Sequence, residues 1–323
     1  MDTLTMKPWQ KRSLITLGVV SVYLLGMHTS ALTSFVAGLE ASPSDDSSSF
    51  TLPPVLAGEV RVIEGIPFAH PAGAEALQLD LYLPPNSPAL TAIPVLVGFH
   101  GGGFTGGNRG QYEGFARGLA ERGFAVASAD YRKYPAWHIE DTLEDARCAV
   151  RWVRTHASEH GLDATRVGAM GRSSGGYLAL MLATGEGEEG DGSACPRAPS
   201  SVSLVISEAG PTNLDPLLWE GTWRGNALQG YFGDADPRAL SPAMRICETT
   251  PPALLLHGTS DTTVPYTQSR LFEAGMHAAN RSVRMVSFPN TEHDALTFHW
   301  ARGQREILHW VSTTWQGEIP AEN

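Results

Sequence analysis

From residue 60 onward, short apolar runs alternate with amphipathic stretches, and this rhythm restricts the possible folds more than any single residue does. The runs fall at 60–66, 77–83, 94–99, 124–129, 166–170, 202–206, 253–256 and 283–288, and the later ones are uninterrupted. Uninterrupted apolar strands are buried on both faces, the condition of a mostly parallel sheet with helices on either side. The expected class is therefore α/β, with eight strands. Between the runs, Phe115, Ala116, Leu119 and Ala120 form one helical face that stops at Gly123, a residue suited to a left-handed cap. Leu143, Ala146, Val150 and Val153 form a second, with Asp141 expected as its cap and Glu144 three residues on. Ile307, Trp310, Val311 and Trp315 form a third near the carboxyl terminus.

The 323 residues carry 23 Lys plus Arg against 34 Asp plus Glu, a net charge of −11 that repels nucleic acid and anionic membrane surfaces. At the amino terminus, Lys7, Lys11 and Arg12 precede an uncharged stretch over 13–39. Residues 1–40 read as a signal peptide or as an uncleaved membrane anchor, and both place the body outside the cytosol. Residues 41–57 are expected to be a polar spacer and 58–323 one catalytic domain, with a small lid over about 212–250. In an oxidising compartment, Cys195 and Cys247 are the expected pair, while Cys148 on a helical apolar face is expected to be a buried thiol. The acidic loop at 186–200 lacks the spacing of a calcium site. No metal or cofactor is expected.

Gly171-Arg172-Ser173-Ser174-Gly175-Gly176 stands between an apolar run and a helical one. A serine on a sharp strand-to-helix turn needs small residues two before and two after it. Ser173 has Gly171 and Gly175 there, whereas Ser174 has the bulky Arg172, so Ser173 is the expected nucleophile. About seventy residues upstream lies His100-Gly101-Gly102-Gly103-Phe104. Consecutive glycines let backbone N–H groups approach a reacting carbonyl, so Gly102, Gly103 and Ser174 are the expected oxyanion donors. His100 is expected to be structural.

A serine hydroxyl needs an imidazole to take its proton, and that imidazole needs a carboxylate to orient it. Asp261 follows the run at 253–256 and His293 follows the run at 283–288, each at the carboxyl end of an expected strand. Chain order favours Asp261 as the acid and His293 as the base. Glu208 is the reserve acid, because Asp294, adjacent to His293, cannot easily turn back onto its ring. His257 and His299 are expected to face core or solvent. Phe104, Trp137, Trp219 and Trp223 are the aromatic residues expected near a substrate pocket.

Together the HGGGF loop, Asp130-Tyr131-Arg132, the GRSSGG turn, His257 to Asp261 and His293 resemble the α/β-hydrolase superfamily. The resemblance is to its hormone-sensitive-lipase-like and bacterial feruloyl or acetylxylan esterase-like branches. It implies a triad of Ser173, Asp261 and His293 in a serine carboxylic-ester hydrolase acting through an acyl-enzyme, and the short lid points to small or short-acyl esters. Arg172 departs from the acidic or small residue usual in such families, which bears on substrate choice. Two other readings stay open: an amide-cleaving relative of the prolyl-oligopeptidase or formamidase type, and a non-catalytic binding protein on the same scaffold.

Overall fold

The computed structural model describes residues 50–85, 92–214, 230–232 and 235–316. One sheet runs through them, built from β1 (Arg61–Ala69), β2 (Leu77–Leu83), β3 (Ile93–Phe99), β4 (Ala125–Ala129), β5 (Leu162–Arg172), β6 (Val205–Glu208), β7 (Ala253–Gly258) and β8 (Val283–Phe288). The spatial order is β1-β2-β4-β3-β5-β6-β7-β8. β2 is antiparallel to both its neighbours, and from β4 to β8 every pairing is parallel. Parallel neighbours require crossovers. The long helices are α1 (Glu113–Ala120), α2 (Ile139–Thr155), α3 (Ser174–Ala183), α4 (Thr267–Ala278) and α5 (Trp300–Gln316).

Side chains alternate across a strand, so a run without polar interruption serves two cores at once. Val95, Val97 and Phe99 of β3 pack with Ala146, Val150 and Tyr177 on one face, while Leu96 joins Phe115, Leu119, Ile307 and Val311 on the other. β7 divides in the same way, Leu255 to the first cluster and Leu254 and Leu256 to the second. This explains why the inner strands show no polar alternation in the sequence.

Several boundaries differ from expectation. β6 starts three residues later than the run at 202–206 and ends two later, and its last two residues pair with Gly171 and Arg172 of β5. α2 starts at Ile139, and Asp141 sits within its first turn, its carboxylate accepting the His138 N–H at 3.1 Å. Gly123 ends α1 as expected, with φ +92° and its N–H on Ala120 O at 3.0 Å. Residues 50–57, assigned to the spacer, lie against the domain: Leu52 packs on the second core, and the Leu56 N–H reaches Glu121 O at 2.7 Å.

The expected Cys195–Cys247 bridge does not form. Cys148 is bonded to Cys195, and Cys247 is free and exposed. The cause is the flank of α2 that carries Cys148 and Arg151. The 186–200 loop folds over it, and the Glu188 carbonyl accepts from the buried Arg151 guanidinium at 2.9 and 3.2 Å. That places Cys195 5.6 Å from Cys148, Cα to Cα.

The described ends of the expected lid are tied down. The N–H groups of Thr212 and Asn213 both donate to Gln268 Oε1 at 2.8 Å, and the Tyr177 hydroxyl donates to Leu240 O at 2.9 Å. Residues 215–229, 233 and 234 of this stretch, and the expected leader, lie outside the described residues. Among the described residues no helix is long and apolar enough to cross a membrane.

Candidate active site

Ser173 links β5 to α3 with φ +55° and ψ −119°, a conformation that costs a non-glycine residue about 1–3 kcal/mol. Its N–H donates to Glu208 O at 2.7 Å, and its carbonyl accepts the Tyr177 N–H at 3.0 Å. The flanking glycines are a steric requirement. A Cβ on Gly171 would lie 2.1 Å from Gly175 O, and one on Gly175 would lie 1.9 Å from Phe99 O. Ser174 opens α3, so its N–H has no partner within the helix, and the helix dipole favours negative charge at that point.

The oxyanion loop leaves β3 just beside this turn. Gly102 has φ +134°, and its carbonyl accepts the N–H groups of Thr105 and Gly106, each at 3.1 Å. With that carbonyl engaged by its own loop, no backbone acceptor among the described residues takes the N–H of Gly102 or Gly103. The neighbouring His100 is structural in geometry. Its Nδ1 donates to Gly101 O at 2.8 Å, and its ring stacks on Tyr131 with centroids 4.2 Å apart. Burial lowers the His100 pKa to about 4, so the ring is neutral at pH 7.

Tyr131 is a residue whose role the sequence did not reveal. Its hydroxyl donates to His100 O at 2.9 Å and therefore accepts from Ser174 Oγ at 3.2 Å, joining the glycine loop to the serine turn. The only signal was its place in Asp130-Tyr131-Arg132, which pattern alone could not turn into a contact.

The structure brings Asp261 and His293 together, with His293 Nδ1 2.7 Å from Asp261 Oδ2. Asp261 Oδ1 accepts the N–H groups of Thr263 and Val264 at 2.8 and 2.9 Å, which fixes the carboxylate before the imidazole reaches it. A second histidine completes the set. His257 Nε2 lies 3.1 Å from Asp261 Oδ2 and 3.0 Å from Val264 O, both acceptors, so this nitrogen carries a proton. Its other nitrogen, Nδ1, meets Ser269 Oγ at 2.7 Å. Burial works to raise the Asp261 pKa, yet the hydrogen bonds from His257 and His293 and the attraction of His293 hold it well below the ordinary carboxylate range. The His257–Asp261 spacing across the end of β7 was the available signal, but the sequence did not say which way the ring turns.

Glu208, the reserve acid, does not meet His293. Its Oε1 accepts the Leu296 N–H at 2.7 Å, and burial raises its pKa to about 7, against the effects of that N–H and of Arg172. Asp294 turns away from His293 to pair with Arg172 at 3.1 Å. Among the described residues no hydrogen bond joins Ser173 Oγ to His293, a contact that is often long before substrate is bound. A cavity of about 330 Å³ opens beside the turn, lined by Gly101, Tyr112, Phe115, Arg172, Glu208 and Trp300 among others.

The expected pocket aromatics have different settings. Phe104 is buried, stacked on Tyr231 at 4.5 Å and edge-on to Tyr177 at 5.6 Å, where it anchors the oxyanion loop. Trp137 lies under the Arg132 guanidinium at 4.7 Å. Trp219 and Trp223 lie outside the described residues. The one cluster of metal-type donors among the described residues, Glu144 with Cys148 and Cys195, has both sulfurs in the disulfide.

A glycine-supported serine turn, free N–H groups beside it and a carboxylate-bound imidazole can together perform nucleophilic acyl transfer. The BD-FAE family model matches residues 79–276. The chain belongs to the BD-FAE family. The match includes the glycine loop, the Ser173 turn and Asp261, and ends before His293. Among curated relatives, a probable isoprenylcysteine alpha-carbonyl methylesterase of Arabidopsis thaliana is 28% identical over 68% of this chain and 48% of its own length. A probable carboxylic ester hydrolase of Mycobacterium tuberculosis, LipM, is 30% identical over 68% of this chain and 53% of its own. This BD-FAE chain thus spans about half the length of the curated relatives it matches. Among solved structures, a butyrate-bound esterase of Thermogutta terrifontis has a TM-score of 0.65 at 28% identity, over 78% of this chain and 94% of that one. The BD-FAE chain shares the α/β-hydrolase fold of these esterases.

Proposed function

We propose that this BD-FAE family member is a serine carboxylic-ester hydrolase that works through an acyl-enzyme. Ser173 Oγ attacks the ester carbonyl as His293 Nε2 takes its proton, and the N–H groups of Gly102, Gly103 and Ser174 hold the tetrahedral oxyanion. Collapse expels the alcohol, which takes the proton back from His293. Water then attacks the acyl-serine with His293 as base, releasing the acid and restoring the serine hydroxyl. Asp261 keeps the His293 Nδ1 proton in place and stabilises the imidazolium. The observation that carries the reading is the 2.7 Å bond between His293 and Asp261 at the same sheet edge as the strained Ser173 turn.

The substrates in this reading are small or short-acyl esters, and the compartment is outside the cytosol. Support for export comes from the basic-then-apolar sequence over 1–40 and from the Cys148–Cys195 disulfide, a bond suited to oxidising surroundings. The test is hydrolysis of p-nitrophenyl esters by the wild type and by Ser173→Ala. The variant is expected to lose on the order of 10⁴-fold or more in kcat and to resist labelling by a fluorophosphonate. Full activity in Ser173→Ala would overturn the reading, and faster turnover of a matched anilide than of the ester would redirect it to amide cleavage.

A further inference from the structure

Glu208 meets the nucleophile strand, the acid strand and the histidine segment at once. It ends β6 opposite Arg172 of β5 and Leu256 of β7. Its main-chain carbonyl accepts the Ser173 N–H at 2.7 Å, and its carboxyl Oε1 accepts the Leu296 N–H at 2.7 Å, three residues beyond His293. The nucleophile turn and the segment behind the base therefore hang on two ends of a single residue, which is 3% exposed.

Resting on the serine-esterase reading, we propose that Glu208 is a positioning residue, whose carboxyl fixes the Leu296 amide and thereby the His293 ring relative to Ser173. The groups around it cannot take over this task. Arg172 and Asp294 pair with each other at a half-exposed edge, and Asp261 is filled by His293, His257 and two N–H groups. Tyr112, before α1, faces it across the cavity. A buried carboxyl bonded to main chain, with no cation bonded to it among the described residues, is unfavourable in isolation, and burial raises its pKa to about 7. Left without an acceptor, the part-buried Leu296 N–H would let the 294–298 segment shift, and a displacement of about 1 Å between base and nucleophile costs roughly 10²-fold in rate. Since Glu208 holds the base and not the ester, the loss belongs in kcat.

The experiment compares wild type, Glu208→Ala, Glu208→Asp, Glu208→Gln and Ser173→Ala in the full chain on one short-acyl p-nitrophenyl ester, with folding followed by circular dichroism. Glu208→Ala is expected to lower kcat about 30- to 100-fold with KM within about threefold, and to slow fluorophosphonate labelling in parallel. Glu208→Gln keeps an acceptor oxygen at the same reach and is expected to recover to within about fivefold of wild type. Glu208→Asp keeps the charge but falls a methylene short of Leu296, so it is expected to behave like Glu208→Ala, and it serves as the test if the alanine variant does not fold. With Ser173→Ala inactive, wild-type kcat in Glu208→Asp, or a Glu208→Gln no better than Glu208→Asp, overturns the positioning role alone. An active Ser173→Ala overturns the esterase reading beneath it.

Discussion

A methyl group on Gly102 would lie 2.2 Å from Gly106 O, inside the same loop. Gly102→Ala is therefore expected to fold normally while its loop N–H groups swing out of line, lowering kcat by about 10²- to 10³-fold. Ester kinetics beside circular dichroism checks this, and an alanine variant with wild-type kcat would remove Gly102 and Gly103 from the oxyanion hole. At this scale, choosing Ser173 over Ser174 needed only the glycine pattern, because one of the clashes it avoids, Gly171 against Gly175 O, lies within the turn itself. The role of His257 was hidden for the opposite reason. Its partner depends on how β7 turns at Gly258, where a Cβ would lie 2.2 Å from Thr291 O in the turn after β8, and such a contact leaves no local trace.

Strands and helices were legible wherever burial shapes composition. The runs at 77–83 and 283–288 coincide with β2 and β8, each followed by a proline, Pro84 and Pro289, that has no N–H to give to a ladder. β6 was displaced because Val202 and Leu204 are apolar and buried without being in the strand, whose residue pairing with β5 starts at Val205. The cysteine pairing was likewise invisible, since it follows from a loop folding onto the flank of α2. The disulfide closes 47 residues of chain, so Cys148→Ser is expected to cost about 2–4 kcal/mol. Cys247→Ser, exposed and unbridged, should stay within about 0.5 kcal/mol of wild type. Urea unfolding of both variants decides between them, and equal midpoints would show that the bridge does not restrain the unfolded chain.

Over the whole molecule, two carboxyls respond to pH in opposite senses. The native state keeps Asp261 ionised more readily than the unfolded chain does, so the stability it contributes is present above its unfolded pKa and is lost as pH falls. Glu208 is the reverse. Its native pKa is raised from 4.5 to about 7, so stability declines as pH rises through that window and levels off above it. Glu208→Gln is accordingly expected to be more stable than wild type by up to roughly 3 kcal/mol at about pH 8.5, and to match it near pH 4. Urea unfolding at the two pH values tests the sign, and a larger gain at the acidic one would contradict it.

The serine turn also has a consequence for how such a chain changes over generations. At Gly171 and Gly175 the obstacle to any other residue is main chain, at 2.1 and 1.9 Å, with no side chain able to move aside. Substitutions elsewhere in a core can be forgiven by a neighbour that shrinks, but here the neighbour is the peptide bond itself. The turn therefore has no intermediate sequences through which to drift: descendants inherit it intact or lose the chemistry in one step, while Arg172 between the glycines stays free to vary.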